Sequence, residues 1–291
     1  MAARAAGPVT IASSKVPRSL GRAAASEPRP TYGSRLAPPS QRVKVHLKLG
    51  LRSGLLFNVD TGEVMWERRP TEVLPIASLT KMMTALVVVA HGRPGDGVLI
   101  TRDAIHYSGS GVGLLPLGKR VSLLSLLYGL MLPSGNDAAI ALAEHIARTQ
   151  NRFISMMNRA ARQMRLTCTH FTSPSGIIDA GNHSCASDLA ILARAVLRQP
   201  LLARIVASSS AILPFPIKGG KLYLYNNNPL LRLGYPGTDG VKTGFTDAAG
   251  PCLVATVRRG HRWFGVVLLH SADPADQAQT LLNAAFARVR G

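Results

Sequence analysis

Between residues 43 and 66 apolar and polar positions alternate: Val43, Val45, Leu47 and Leu49, then Leu55-Leu56-Phe57-Asn58-Val59, a turn at Asp60-Thr61-Gly62, and Val64-Met65-Trp66. A period of two predicts strands, here a β-hairpin with a short strand ahead of it. From Pro75 the period lengthens, and a helix is expected to begin around Ser78. Its body, Ala85 to Ala90, is apolar on every side, which predicts an element buried in the middle of a domain with only its first turn open. Helical spacing returns over residues 122–131, 136–147, 152–164 and 187–197. Asn136 or Asp137 is a candidate N-cap of the second of these, and Ser187 or Asp188 lies near the cap of the fourth. After residue 237 strand signals resume at 238–243, 252–257 and 263–269, with a turn at Arg258-Arg259-Gly260, and a last helix is expected from Pro274 to Val289.

Strands at both ends with helices between them predict an α+β fold: an antiparallel sheet assembled from the two chain ends, with flanking helices and an inserted helical lobe. Residues 1–42, rich in Ala, Arg, Pro and Ser without a hydrophobic period, are expected to form a flexible basic leader, and residues 43–291 one domain. The leader holds no apolar run long enough for a secretory signal, since Val9 to Ala12 falls well short. Leu123 to Leu132 is broken by Ser125, Tyr128 and Gly129 and is too short for a membrane span.

The chain has 291 residues, 46% of them hydrophobic and 17% charged, which is a globular composition. Its formal charge of +19 predicts attraction to polyanions, among them nucleic acid, anionic lipid or an acidic wall polymer. The excess is spread along the chain, and no recognition motif or interleaving of aromatics accompanies it, so nucleic acid is not expected as a partner. Cys168, Cys185 and Cys252 are too few and too scattered to suggest a disulfide framework. Cys168-x-His170 and His183-x-Cys185 offer ligand types suited to zinc, but not at the usual spacing, and neither a metal nor an organic cofactor is expected.

Three short motifs carry the chemistry. Ser78-Leu79-Thr80-Lys81 places a hydroxyl and an amine at i, i+3, on one face of a helix, where the amine can take the hydroxyl proton. Ser134-Gly135-Asn136 and Lys242-Thr243-Gly244 follow. Taken alone, Ser134 reads equally as a helix cap, Asn136 as a turn residue, Lys81 as a solvated helix lysine and Thr243-Gly244 as a strand end. Their joint occurrence in this order argues for a site.

The three motifs resemble those of penicillin-binding proteins and serine β-lactamases. The flanking segments Ala77 to Thr84, Leu127 to Ala139 and Asp239 to Gly244 are similar to the low-molecular-mass D-alanyl-D-alanine carboxypeptidases, as are Phe171 to Gly176 and Ser184 to Ala190. The resemblance runs from about Val43 to the C-terminus and leaves no room for the extra C-terminal β-domain and anchor that many members carry. It implies a β-lactamase/transpeptidase-like fold and a peptidase that removes the last D-Ala from peptidoglycan stem peptides through a Ser78 acyl-enzyme. β-Lactams would be covalent inhibitors, and the location would be the cell envelope.

The same resemblance implies that Lys81 takes the serine proton and that Ser134 relays it to the leaving amine. Asn136 would bind substrate backbone or fix Lys81. Lys242, remaining charged, and Thr243 would hold the terminal carboxylate, Gly244 and Phe245 would bind substrate beside them, and the N-H groups of Ser78 and Phe245 would form the oxyanion hole. The helix N-terminus and Lys242 would lower the Lys81 pKa. Where many relatives offer an arginine for the carboxylate, this chain reads His270-Ser271-Ala272-Asp273. Two rival readings are a serine β-lactamase, disfavoured by the lack of an evident Glu-x-x-Leu-Asn segment, and a catalytically idle cationic wall-binding protein, disfavoured by the intact Ser78, Lys81, Ser134 and Lys242.

Overall fold

The computed structural model describes residues 35–38, 42–113, 115–217 and 220–288. The alternating segment after residue 50 forms the hairpin β1 (Leu51–Asn58) and β2 (Val64–Arg68). A two-residue strand β3 (Leu74–Pro75) leads to a single 3-10 turn, Ala77–Thr80, and then to α1 (Lys81–His91). The helical lobe follows. A small hairpin of β4 (Gly97–Leu99) and β5 (Arg120–Ser122) encloses the short α2 (Arg102–Ile105), and α3 (Leu123–Met131), α4 (Asn136–Ala147) and α5 (Gln150–Gln163) come next. A bridging strand β6 (His183–Ser184), α6 (Ala186–Leu197) and α7 (Pro200–Ala207) complete it. A third hairpin, β7 (Ser210–Pro214) and β8 (Lys221–Tyr225), and α8 (Pro229–Arg232) precede β9 (Thr238–Gly244), β10 (Cys252–Arg259), β11 (Arg262–Ser271) and α9 (Pro274–Arg288).

The main sheet has the order β2-β1-β11-β10-β9 and is antiparallel throughout, so the two ends of the domain meet where β1 pairs with β11. Strand alternation sends Phe264, Val266 and Leu268 to one face, where Leu281, Leu282 and Phe286 of α9 cover them. Val267 and Leu269 point to the other face and join the larger core built on α1, α3, α4 and α6. Within that core α1 is buried from Lys81 to Val88, as its apolar circumference predicts.

Three expectations are corrected. The alternation at 43–49 forms no strand: Val43 is buried and its N-H donates to the Met65 carbonyl at 2.8 Å, but no ladder develops. Neither Asn136 nor Asp137 caps α4, for the cap is Gly135 and both residues are helical; α6 is capped by Cys185, with Ser187 and Asp188 in its first turn, near the cap as expected. Cys168 and Cys185 form a disulfide, their Cα atoms 5.6 Å apart. They meet because His170 and His183 pair as an antiparallel bridge, which folds back the segment between the cysteines.

The leader reading of residues 1–42 falls largely outside the described residues. Within it, Ala37 bridges to Glu63 and the Arg35 carbonyl accepts from Arg194 Nη1 at 2.8 Å.

Candidate active site

Four segments converge at the start of α1. The 3-10 turn carries Ser78, half-buried, and Lys81 follows as the first residue of α1, fully buried. Lys81 Nζ lies 2.8 Å from Ser78 Oγ, 2.6 Å from Asn136 Oδ1 and 2.8 Å from the Ser175 carbonyl. Asn136 Nδ2 donates to the Ser108 carbonyl at 2.6 Å, which fixes the amide so that its oxygen faces the lysine. Asn136 Oδ1 and the Ser175 carbonyl can only accept. Lys81 Nζ donates to both, and Ser78 Oγ is its third partner. The three contacts hold the amine against the Ser78 hydroxyl, within reach for a proton to pass between them.

Burial is the main cause of a Lys81 pKa well below 10.5, and Lys242 lowers it further while Asp137 opposes both. Of the two causes expected from the sequence, Lys242 is among these.

The wall opposite α4 is the segment 173–182, and its main chain supplies the Ser175 carbonyl. Gly176, at φ +80°, packs so closely that a Cβ would overlap the Ala77 carbonyl oxygen. Thr84 Oγ1 donates to the Pro174 carbonyl at 2.6 Å, and Asn182 Nδ2 donates to Thr80 Oγ1 at 2.9 Å. The disulfide lies across the base of this segment, so the Lys81 acceptor sits in a closed loop. No side-chain signature marks a carbonyl as a ligand, and the sequence reading missed Ser175.

Ser134 stands at the turn between α3 and α4 with φ +69°, and its Oγ is buried without a hydrogen-bond partner. The next turn is held by Asp137, whose carboxylate accepts from the N-H groups of Val112 and Ala138, each at 2.8 Å. Lys242, 2% exposed, donates from Nζ to the Thr243 carbonyl at 2.9 Å. Burial brings its pKa down from 10.5 to about 7.

Strand β9 runs directly against the serine turn. A Cβ on Gly244 would stand 3.0 Å from the Ile76 carbonyl and 3.1 Å from the Ser78 nitrogen, so a side chain here would have to push the serine turn back by a few tenths of an ångström. Thr243 is half-buried beside it, and Phe245, 63% exposed, lies just beyond. All eight residues named from the sequence are therefore on the segments that gather here. His170 and His183 stack with ring centroids 5.8 Å apart, and both cysteines near them are bonded to each other, so neither is a thiolate donor.

The model of the peptidase S11 family, described as D-alanyl-D-alanine carboxypeptidase, matches residues 41–272. The chain is 32% identical over 245 residues to the D-alanyl-D-alanine carboxypeptidase DacF of Bacillus subtilis, an alignment covering 81% of this chain and 62% of that protein. It is 34% identical to DacB2 of Mycobacterium tuberculosis, covering 80% of this chain and 81% of the relative. Among solved structures, a D-alanyl-D-alanine carboxypeptidase from Mycobacterium tuberculosis superposes with a TM-score of 0.79 at 31% identity, covering 86% of this chain and 96% of that one. The Streptomyces K15 DD-transpeptidase gives 0.78 at 31% identity, covering 84% and 100%. The chain spans 62% of the length of DacF and of the Escherichia coli DacD, so about three fifths of those relatives.

Proposed function

Because the chain belongs to the peptidase S11 family of D-alanyl-D-alanine carboxypeptidases, we propose that it is a serine D,D-carboxypeptidase that removes the terminal D-Ala from peptidoglycan stem peptides. The observation that carries this reading is the placement of the buried Lys81 Nζ 2.8 Å from Ser78 Oγ, held there by Asn136 Oδ1 and the Ser175 carbonyl, with its pKa lowered well below 10.5.

In the proposed first step Ser78 Oγ attacks the carbonyl carbon between the two D-Ala residues as its proton passes to Lys81 Nζ. The N-H groups of Ser78 and Phe245 receive the oxyanion. The C-N bond then breaks, and the proton goes from Lys81 through the Ser134 hydroxyl to the departing amine. The unpartnered state of Ser134 Oγ supports this role, since a hydroxyl without a fixed bond is free to hand over a proton. Lys242 and Thr243 hold the terminal carboxylate, whose charge draws a proton onto Lys242 and restores its cation. Water then hydrolyses the ester. Gly244 keeps the strand close enough to Ser78 for both ends of the substrate to be held at once.

A substrate of this kind places the protein in the cell envelope. No helix among the described residues is long and apolar enough to cross a membrane. The positive charge is compatible with anionic wall polymers or a membrane surface as further partners.

Intact-mass spectrometry after mixing with penicillin tests the reading. A β-lactam acylates the same serine but keeps its leaving group tethered, so the expected result is a covalent adduct on Ser78 lasting at least minutes, absent in Ser78→Ala, with turnover of a D-Ala-D-Ala peptide in parallel. Rapid hydrolysis of many penicillins per enzyme would favour the β-lactamase reading, and the absence of any adduct the idle wall-binding one.

A further inference from the structure

The hairpin of β7 and β8 has one covered face and one open face. Leu222 and Leu224 are buried beside the half-buried Ala211 and Leu213, in the core that includes α3. The alternate positions face outward, and Ile212, Tyr223 and Tyr225 are 63%, 57% and 69% exposed. Register sets Ile212 opposite Tyr223, Ser210 opposite Tyr225 and Pro214 opposite Lys221. A half-buried hairpin ordinarily turns polar side chains outward. Here the outward face is a continuous strip of two phenols and an isoleucine, with one lysine at its end. Single exposed apolar residues need no explanation, whereas a contiguous set does.

The strip begins at the rim of the catalytic cleft. Asn226 N-H donates to the Ser209 carbonyl and closes the hairpin base. The next residue, Asn227, donates from its N-H to the Leu132 carbonyl and from Nδ2 to the Pro133 carbonyl, both at 3.1 Å. Asn228 Nδ2 reaches the Gly240 carbonyl at 2.7 Å on the strand that carries Lys242. Tyr225 is thus two residues, about 7 Å of extended chain, from a residue bonded next to Ser134.

We propose that the outward face of this hairpin, through Tyr223 and Tyr225, binds the polysaccharide strand that carries the stem peptide cut at Ser78. The inference rests on the carboxypeptidase reading. The ring C-H groups of a pyranose form an apolar face that lies against a phenol ring, while sugar hydroxyls exchange hydrogen bonds with the phenol oxygens and Lys221. A flat apolar surface such as a bilayer, laid against a strip at the rim, would cover the cleft. A polymer that bears the substrate has to pass there in any case.

The test compares full-length protein with Tyr223→Ser, Tyr225→Ser and the double variant on two substrates: a free peptide ending in D-Ala-D-Ala, and soluble uncross-linked glycan strands bearing the same peptide. The double variant should lose about tenfold in kcat/KM on the glycan-linked substrate, mainly through KM. The free peptide and penicillin acylation should stay within about twofold, and thermal stability should be unchanged, because both phenols already lie in water. Equal losses on both substrates, or no loss on either, overturn the proposal. Binding of peptide-free glycan strands, measured by calorimetry, gives a readout independent of catalysis, so failure of the carboxypeptidase reading is told apart from failure of this one. Loss of sedimentation with anionic vesicles, without any change toward glycan, would assign the strip to a bilayer and overturn it as well.

Discussion

Asn136 Oδ1 lies 2.6 Å from Lys81 Nζ, held there as an acceptor because the other end of the amide is committed to the Ser108 carbonyl. The contact is neutral. A carboxylate in the same place would favour the ammonium form of Lys81 and raise its pKa. Asn136→Asp is therefore expected to move the acidic limb of penicillin acylation to higher pH and to cut the rate at neutral pH at least tenfold, with partial recovery as the pH rises. Stopped-flow acylation across pH checks this, and a rate loss with no displacement of the limb would contradict it.

For Lys242 the expected limb lies on the other side. Its pKa of about 7 in the free protein means that kcat/KM on a carboxylate-bearing peptide should fall as the pH rises through about 7. Lys242→Arg keeps a cation that does not titrate, so this variant should be slower yet lack that basic limb. A basic limb that survives the substitution would belong to another group.

The same lysine sets a stability slope. Its folded pKa lies below the ordinary 10.5, so between about 7 and 10.5 the unfolded chain binds more protons and stability rises with pH. Lys242→Met should stabilise the protein below pH 7, by at most roughly 4–5 kcal/mol, and the gain should vanish above the ordinary value. Denaturant titrations at several pH values read it directly.

Ser134 combines a left-handed backbone with a buried hydroxyl that has no partner. Glycine at this position relieves both costs, so Ser134→Gly should stabilise the fold by roughly 1–2 kcal/mol while slowing penicillin acylation about a hundredfold. A variant both less stable and less active would assign Ser134 a packing role.

Two truncations bracket the domain edge. A chain starting at Arg35 keeps the hydrogen bonds of Ala37 to Gly62 and Val64 and the Arg35 carbonyl that accepts from the buried Arg194; a chain starting at Val43 loses all of them. The shorter one should be less stable by roughly 2–3 kcal/mol, with peptide turnover retained in both. Equal stabilities would put the edge at residue 43.

The sequence made the hairpin of β1 and β2, the buried α1 and the late strands legible, because each buries one periodic set of apolar residues. The β7 and β8 hairpin escaped it because Ile212, Tyr223 and Tyr225 put apolar residues on the outward face too, which erases the alternation. Ser78 and Lys81 were visible as a fixed local spacing. The disulfide was not, for its cysteines are 17 residues apart and are joined only by the pairing of His170 with His183. Nor was the lowered pKa of Lys242, which comes from burial, a property of the whole fold.

The pairing of β1 with β11 also sets when the catalyst comes into being. Gly244 meets the serine turn on a strand tied to the rest of the sheet through β10 and β11, and β11 ends at Ser271. A growing chain that has already emerged past Ser78, Lys81 and Ser134 has no partner for the inner edge of β1, and nothing to press Gly244 against the serine turn. Contacts this far apart in sequence close late in folding. On the proposed reading, a half-made or unfolded chain therefore contains Ser78 and Lys81 without the strand that completes their surroundings, and acylation should begin only once β9 to β11 are in place.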